Sequence, residues 1–137
     1  MDILQNMRSL AISARNSSYS PYSGVRVGAA LLTASGKIYT GCNIENAAFS
    51  PTVCAERVAF FKAISEGEKE FAAIAVSGGA NDLPDELFSP CGVCRQVMAE
   101  FCDPDKFKIF LVKSENEYKE LTLKELLPYG FGKENVK

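Results

Sequence analysis

The sequence predicts an α/β fold, in which helices pack on a central β-sheet. Segments with helical periodicity alternate along the chain with short apolar segments of strand length. The chain has 137 residues, enough for one domain with a substantial core and too short for two ordinary domains. Its composition, 47% hydrophobic and 23% charged, is that of a globular protein. We therefore expect a single domain over residues 1–137.

The first half of the chain contains two helical segments that flank a β-hairpin. The amphipathic start of the chain is helical until a Ser-, Tyr- and Pro-rich segment interrupts it. Ser50 and Pro51 predict the start of the second helix, because serine caps helix N-termini and proline suits the first helical position. In order, the elements are a helix at 2–17, a strand at 25–33, a turn at 34–37, a strand at 38–43 and a helix from 50 to about 67.

The second half of the chain continues the alternation of strands and helices. Ser89 and Pro90 repeat the cap pattern before a helix, and Thr122 with Glu125 has the spacing of a capping box. In order, the elements are a strand at 71–77, a helix at 91–102, strands at 106–112 and 118–121, and a last helix that ends at Pro128.

Charge and residue types exclude several classes of function. With 15 basic and 17 acidic residues the net charge is −2, which argues against a nucleic-acid partner bound through bulk phosphate neutralisation. The apolar runs are too short to cross a membrane, and the N-terminus lacks a secretory pattern, so we expect a cytoplasmic protein. The sequence contains no histidine, so any general base is a carboxylate, Lys, Tyr or Cys.

Three of the five cysteines stand at predicted helix starts. Cys91 and Cys94 form a C-x-x-C pair whose spacing allows both sulfurs to bind one ion. Cys54 stands at the start of the preceding helix, and a β-α-β arrangement could bring the two helix starts to the same sheet edge. Three thiolates then occupy three corners of a zinc tetrahedron and leave the fourth open for water, as in catalytic zinc sites.

Two charged residues lie close to Cys54 in the predicted helix. Glu56 could point into the same pocket without binding the metal, and a carboxylate there could take a proton from zinc-bound water and redeliver it. Zinc with three thiolates carries a net negative charge, which weakens it as a Lewis acid. A guanidinium from Arg57 that donates to the sulfurs would withdraw that charge. Taken alone, the pair could also be an ordinary solvated helix pair.

Together with several further segments, these motifs resemble the small zinc-dependent cytidine deaminases of the three-Cys type. The resemblance covers nearly the whole chain, with the segments in the same order and at similar spacing. It implies a three-layer sandwich, with a central mixed five-stranded sheet and helices on both faces. The matching segments are Tyr22-Ser23, Val27–Leu31, Gly41–Ala47, Cys54–Glu56, Pro90–Cys94 and Glu125–Pro128.

The resemblance implies a hydrolytic reaction on a small nucleoside. Cytidine or 2′-deoxycytidine is converted to the uridine product plus ammonia in pyrimidine salvage, with one Zn²⁺ per subunit. In this family pattern Cys54, Cys91 and Cys94 bind the zinc, and zinc-bound hydroxide attacks C4 of the base. Glu56 shuttles protons between the water, ring nitrogen N3 and the leaving ammonia.

The resemblance also assigns the substrate contacts. Asn43 and Glu45 hydrogen-bond the ribose hydroxyl from two sides, and the backbone N–H of Ala55 holds the pyrimidine carbonyl. Phe131 takes the place of a phenylalanine that reaches into a neighbouring subunit's site. The implied assembly is therefore a homotetramer whose active sites are completed across subunits.

One residue departs from the family pattern. Val25 stands where relatives often have an aromatic residue that stacks on the pyrimidine. Stacking would then rest more on Phe131 and Phe49, and the base selectivity would be altered. The departure also leaves open a deaminase that acts on a different amino-heterocycle.

The cysteines permit two further interpretations. Cys42 or Cys102 could supply a fourth ligand to a structural zinc site in a non-enzymatic interaction module. Alternatively, Cys91 and Cys94 could form a thioredoxin-like redox pair, which leaves the segment from Cys54 to Glu56 unexplained. We otherwise expect Cys42 and Cys102 to behave as small core residues.

Overall fold

Five strands and four α-helices form the part of the chain that the computed structural model describes, residues 2–84 and 86–136. The strands are β1 (Arg26–Thr33), β2 (Ile38–Cys42), β3 (Phe71–Gly79), β4 (Lys108–Val112) and β5 (Tyr118–Thr122). The helices are α1 (Ile3–Ala14), α2 (Ala55–Ser65), α3 (Gly92–Phe101) and α4 (Leu123–Leu126). Short 3₁₀ turns lie at Arg15–Ser17 and Lys133–Asn135.

The strands form one mixed sheet in the order β2-β1-β3-β4-β5. Only β3 and β4 run parallel, with Ala75 opposite Phe110, and the other three neighbouring pairs are antiparallel. The parallel pair requires a crossover connection, and α3 lies in that connection between β3 and β4. The mixed five-stranded sheet predicted from the sequence is confirmed.

Helices cover both faces of the sheet, which gives three layers. On one face α1 buries Met7 and Ala11 against Phe110 of β4. On the other face Phe60 of α2 and Met98 of α3 share a buried core with the alternate residues of β1, β3 and β4. Strand residues alternate between the two faces, so each strand contributes to both cores. The predicted three-layer sandwich is therefore confirmed.

A glycine in β2 brings the backbone of α2 close to the sheet. A Cβ atom at Gly41 would lie 2.7 Å from the backbone nitrogen of Ala59 and would also clash with the carbonyl oxygen of Ala55. Such distances are too short for carbon, so only glycine permits this packing. The contact fixes the first turn of α2, which follows Cys54, against the sheet.

The second helix begins later than Ser50 and Pro51 indicate. α2 starts at Ala55, with Cys54 as its N-cap residue. Val53 is held in an extended conformation because it exchanges two hydrogen bonds of 3.0 Å with the backbone of Ile44. This pairing between distant segments overrides the local cap signal, and the prediction of a helix start at Ser50 is wrong.

The third helix also begins after its Ser–Pro pair. α3 starts at Gly92 with Cys91 as its N-cap, and the hydroxyl of Ser89 accepts a hydrogen bond from Arg95 Nη2 at 2.8 Å. Ser89 therefore does not cap the helix. The predicted capping box of the last helix is confirmed, since Thr122 and Glu125 satisfy each other's backbone N–H groups.

A buried arginine joins the end of α1 to the loop that follows β3. Arg15 is 1% exposed, and its guanidinium donates to four backbone carbonyl oxygens. The acceptors are those of Arg26 (3.0 Å), Gly79 (3.0 Å), Asn81 (2.6 Å) and Asp82 (3.2 Å). The side chain thus fixes the start of the segment that leads to Cys91.

None of the helices in the described part of the chain has the length and apolar character needed to cross a membrane.

Candidate active site

Three cysteine sulfurs meet where the N-termini of α2 and α3 converge. The Sγ atoms of Cys54, Cys91 and Cys94 all lie within 4.8 Å of one another. The Cys54–Cys91 sulfur distance is 3.6 Å and the Cys91–Cys94 distance is 3.5 Å. The predicted convergence of the two helix starts is therefore confirmed.

The donor set fits a zinc ion. A zinc tetrahedron with Zn–S bonds of about 2.3 Å has sulfur–sulfur edges of about 3.8 Å, close to the two sulfur distances in the cluster. Thiolates are ligands that zinc prefers, and both helix N-termini favour the anionic sulfur. The three cysteines can thus hold the ion from one side.

Neither of the other two cysteines joins this cluster. The Cys42 thiol donates to the carbonyl oxygen of Ser17 at 3.3 Å. Cys102 follows the last turn of α3, at the opposite end of that helix from Cys91, and burial raises its pKa to about 12. Among the described residues the cluster has three sulfur ligands, and the structural site with Cys42 or Cys102 as a fourth ligand is not formed.

Arg57 neutralises part of the charge of the cluster. Its Nη2 atom donates to Cys54 Sγ at 3.4 Å. Hydrogen bonds from the Cys94 thiol and from Arg57 lower the pKa of Cys54 to about 5, against the opposing effect of burial. Cys54 is thus a thiolate at neutral pH, in the form that binds metals.

Glu56 is the one acidic residue in the first turn of α2, and it points inward. The residue is 3% exposed, and no described hydrogen-bond partner contacts its Oε1 atom. Burial raises the pKa of Glu56 to about 7, with the charge of Cys54 acting in the same direction. A buried carboxyl oxygen without a partner is costly in a folded protein unless a ligand or a reaction uses it.

A cavity of about 390 Å³ opens beside the cysteines. Its walls combine a polar side, an apolar side and the metal-binding end, a common arrangement in small-molecule sites. The cavity is lined by Ser23, Val25, Val27, Asn43, Glu45, Thr52, Val53, Cys54, Glu56, Phe88, Ser89 and Cys91.

Asn43 contributes to the polar side, and the protein already uses most of its amide. The residue is 8% exposed, and its Oδ1 atom accepts hydrogen bonds from Val27 N–H (2.9 Å) and from the Ser18 hydroxyl (2.5 Å). Its Nδ2 group donates to the carbonyl oxygen of Val25 at 2.8 Å. One amide N–H is left for a further acceptor.

Glu45 lines the same cavity. Its Oε1 atom accepts from the backbone N–H groups of Tyr22 (2.9 Å) and Ser23 (3.1 Å), and its Oε2 atom accepts from the Ser23 hydroxyl (2.5 Å). The Ser23 hydroxyl is the largest cause of a lowered pKa at Glu45, so the carboxylate is ionised at neutral pH. An ionised carboxylate can accept further hydrogen bonds from a ligand's hydroxyl groups.

Some of the remaining predicted substrate residues lie at this cavity and others lie outside it. Val25 lines it, and Ala55 is the first residue of α2, where the backbone N–H has no acceptor within its helix. Phe131 is 61% exposed, lines a separate cavity and accepts a hydrogen bond from Gln96 through its carbonyl oxygen. Phe49 packs edge-on against the Tyr22 ring outside the cavity.

Two residues of this region have roles that the sequence did not predict. Phe88 lines the cavity, three residues before Cys91. Arg95 received no role, yet it donates to the carbonyl oxygens of Pro90 (2.8 Å) and Leu126 (2.6 Å) and so joins the turn before Cys91 to the end of α4. The signal for Phe88 was its place next to the C-x-x-C segment, but it stands in a loop without periodicity.

The fold and the cysteine cluster define a class, an α/β protein with a three-cysteine metal site that is open to a ligand cavity. Residues 1–110 match the family described as the cytidine and deoxycytidylate deaminase zinc-binding region. The cytidine deaminase of Sporosarcina psychrophila is 49% identical over 123 residues, which are 90% of this chain and 87% of the relative. That of Halalkalibacterium halodurans is 47% identical over 126 residues, 92% of both chains.

A solved structure agrees with these sequence relatives. The crystal structure of cytidine deaminase from Burkholderia pseudomallei superposes with a TM-score of 0.83 at 41% identity, covering 92% of this chain and 97% of that one. The chain therefore belongs to the cytidine deaminase family and is an enzyme.

Proposed function

We propose that the protein is a zinc-dependent hydrolase that converts cytidine and 2′-deoxycytidine to uridine and 2′-deoxyuridine with release of ammonia. One observation carries the proposal: the buried carboxyl group of Glu56, whose Oε1 atom has no described hydrogen-bond partner, lines the same cavity as Cys54 and Cys91. A metal site and a free acid–base group in one cavity are what the hydrolysis of an amidine needs.

The metal would be bound by Cys54, Cys91 and Cys94, one ion per subunit. When bound, zinc supplies a Lewis acid that lowers the pKa of a water molecule towards 7. Arg57 holds Cys54 by its 3.4 Å contact and withdraws negative charge from the sulfur. These residues set the position at which C4 of the base must lie.

Glu56 moves the protons of the reaction. Its carboxylate accepts a proton from water as the water oxygen bonds to C4, and it delivers that proton to ring nitrogen N3. It then takes the remaining proton from the C4 hydroxyl group and transfers it to the exocyclic nitrogen, so that ammonia leaves as the C4–N bond breaks and the C4=O bond forms. A carboxyl group that is poised to exist in both protonation states suits both transfers.

The rest of the cavity would orient the nucleoside. The backbone N–H of Ala55 donates to the pyrimidine carbonyl, since the first turn of α2 leaves it without an acceptor. Asn43 offers its remaining N–H and Glu45 its ionised carboxylate to a ribose hydroxyl. Val25 contributes apolar contact without a ring face.

The surroundings of the enzyme are also part of the proposal. We assign the whole chain, residues 1–137, to one catalytic domain that acts in pyrimidine salvage in the cytoplasm. Phe131 is exposed and does not line the cavity of its own chain, which supports a role in the site of a neighbouring subunit within a homotetramer. Nucleosides are the small-molecule partners, and no role is assigned to nucleic acid or membrane.

The experiment is ammonia release by the zinc-loaded enzyme from cytidine, deoxycytidine, cytosine and CMP. We expect turnover of the two nucleosides and little of the other two, because the free base lacks the ribose contacts. Release from none of the four, with the metal bound, would refute the substrate assignment and favour another amino-heterocycle, an alternative that Val25 supports.

The role of Glu56 is tested separately with Glu56→Gln. The variant should keep its zinc and its melting temperature and lose turnover by about 10³-fold or more, since the amide cannot carry the proton. Glu117→Gln, an exposed residue paired with Lys113 far from the cysteines in sequence, is the matched control. Loss of zinc in Glu56→Gln would make Glu56 a ligand instead of a proton carrier.

A further inference from the structure

Phe88 lines the cavity from the segment between β3 and α3. It is half-buried and packs against the core that contains Val27, and Val25 packs against the same core. With Val53, these three residues are the apolar residues that line the cavity. Phe88 is the only one of the four with a ring, so it offers a flat apolar surface to a ligand.

A glycine of β3 supports the ring of Phe88. A Cβ atom at Gly78 would lie 2.6, 2.7 and 2.9 Å from the Cγ, Cδ1 and Cδ2 atoms of Phe88. The ring is therefore seated directly on the strand backbone, in space that any other residue at position 78 would fill. Gly78 is the register partner of Val27, so the ring lies beside the buried wall of the cavity.

Phe88 stands close in the chain to the metal-binding cysteines. It precedes Cys91 by three residues, which span at most about 10 Å of chain. Val25 lines the same cavity, and its carbonyl oxygen accepts a hydrogen bond from the side chain of Asn43. Among the described residues that line this cavity, Phe88 is the only one with an aromatic ring.

We propose that Phe88 is a specificity-determining residue that holds the pyrimidine ring by contact with its aromatic side chain, and so supplies from this wall the ring that Val25 lacks. The inference rests on the proposed function and deepens it. An aromatic side chain binds a flat heterocycle through dispersion and stacking that a branched aliphatic chain cannot match. The contact exists before and after the reaction, so it acts on binding and not on the chemical step.

The test compares Phe88→Leu and Phe88→Tyr in the zinc-loaded enzyme. Equilibrium dialysis with uridine measures affinity for a pyrimidine nucleoside without turnover. We expect the Kd to rise about tenfold in Phe88→Leu. In Phe88→Tyr, which keeps an aromatic ring, the Kd should stay within about twofold of that of the original protein. The KM for cytidine should rise in Phe88→Leu by the same factor, with kcat nearly unchanged.

Phe71→Leu is the matched control, because it makes the same substitution at the first residue of β3, at the opposite end of that strand from Gly78, and Phe71 does not line the cavity. It should bind uridine as the original protein does. Gly78→Ala gives a second variant with Phe88 intact, since the new methyl group must displace the ring and should weaken uridine binding as well.

Three results would overturn the inference. They are an unchanged uridine Kd in Phe88→Leu, a Phe88→Tyr variant as weak as Phe88→Leu, or loss of zinc from Phe88→Leu in metal analysis. The last would make Phe88 a support for the turn before Cys91. An original enzyme that does not deaminate cytidine at all refutes the proposed function instead, so the two failures are distinguishable.

Discussion

Replacement of Arg15 by Met should destabilise the protein far more than a typical substitution. The methionine keeps much of the aliphatic stem but removes all four hydrogen bonds to backbone carbonyls. The carbonyls of Asn81 and Asp82 belong to exposed residues, so water can replace their bonds. Those of Gly79, which is buried, and Arg26, which is half-buried, lose their donor with less access to solvent.

The magnitude follows from the two less accessible carbonyls. A hydrogen bond to a charged group contributes about 1.5–3 kcal/mol, so Arg15→Met should lower the free energy of unfolding by about 3–6 kcal/mol. Domains are stable by only about 5–15 kcal/mol, so this is a large fraction of the total. With a urea dependence of about 2 kcal/mol per M, the midpoint of unfolding falls by roughly 2 M.

The assay is urea denaturation followed by circular dichroism at one protein concentration. Arg26→Met is the matched control, because Arg26 contacts the same loop through an ion pair with the fully exposed Asp82 at 3.1 Å. Exposed pairs contribute at most about 1 kcal/mol, so its midpoint should shift by less than about 0.5 M. Equal shifts in the two variants would refute the argument from buried carbonyls.

Three more predictions concern the helix that follows Cys54 and the thiols. Gly41→Ala should lower the free energy of unfolding by about 1–3 kcal/mol in urea, because its methyl group collides with the backbone of α2. Arg57→Gln should weaken zinc binding about tenfold in a chelator competition, and unchanged affinity would exclude the proposed effect of its contact with Cys54. After zinc removal, iodoacetamide at pH 7 should modify Cys54 before Cys102, because the thiolate reacts and the pKa is about 5 for Cys54 and about 12 for Cys102. Mass spectrometry follows the two modifications, and earlier modification of Cys102 would contradict this order.

Local signals in the sequence predicted those parts of the fold that depend on neighbours in the chain. The capping box of Thr122 and Glu125 is an example, because both partners lie within one turn. The helix start at Ser50 failed because a backbone pairing between Ile44 and Val53 keeps the chain extended. Such a pairing depends on the tertiary fold, which local propensity does not contain.

The candidate site divides in the same way. The cysteine cluster was predictable because the C-x-x-C spacing and the position of Cys54 in the first turn of a predicted helix are both visible in the sequence, even though that helix starts later than predicted. The role of Phe88 was not predictable, because its ring packs on the backbone of Gly78, which becomes its neighbour only after folding. The local partners of Asn43 and Glu45 also came from the structure, which shows how much of their hydrogen-bonding capacity the fold itself uses.

The backbone pairing of Ile44 with Val53 has a consequence for the size of the ligand. Ile44 lies between Asn43 and Glu45, and Val53 immediately precedes Cys54. Two hydrogen bonds of 3.0 Å therefore fix the separation between the polar side of the cavity and its metal-binding end. A ligand that contacts both the polar side and the metal-binding end must therefore match this separation in length. A shorter ligand can contact only one of the two and loses the interactions of the other.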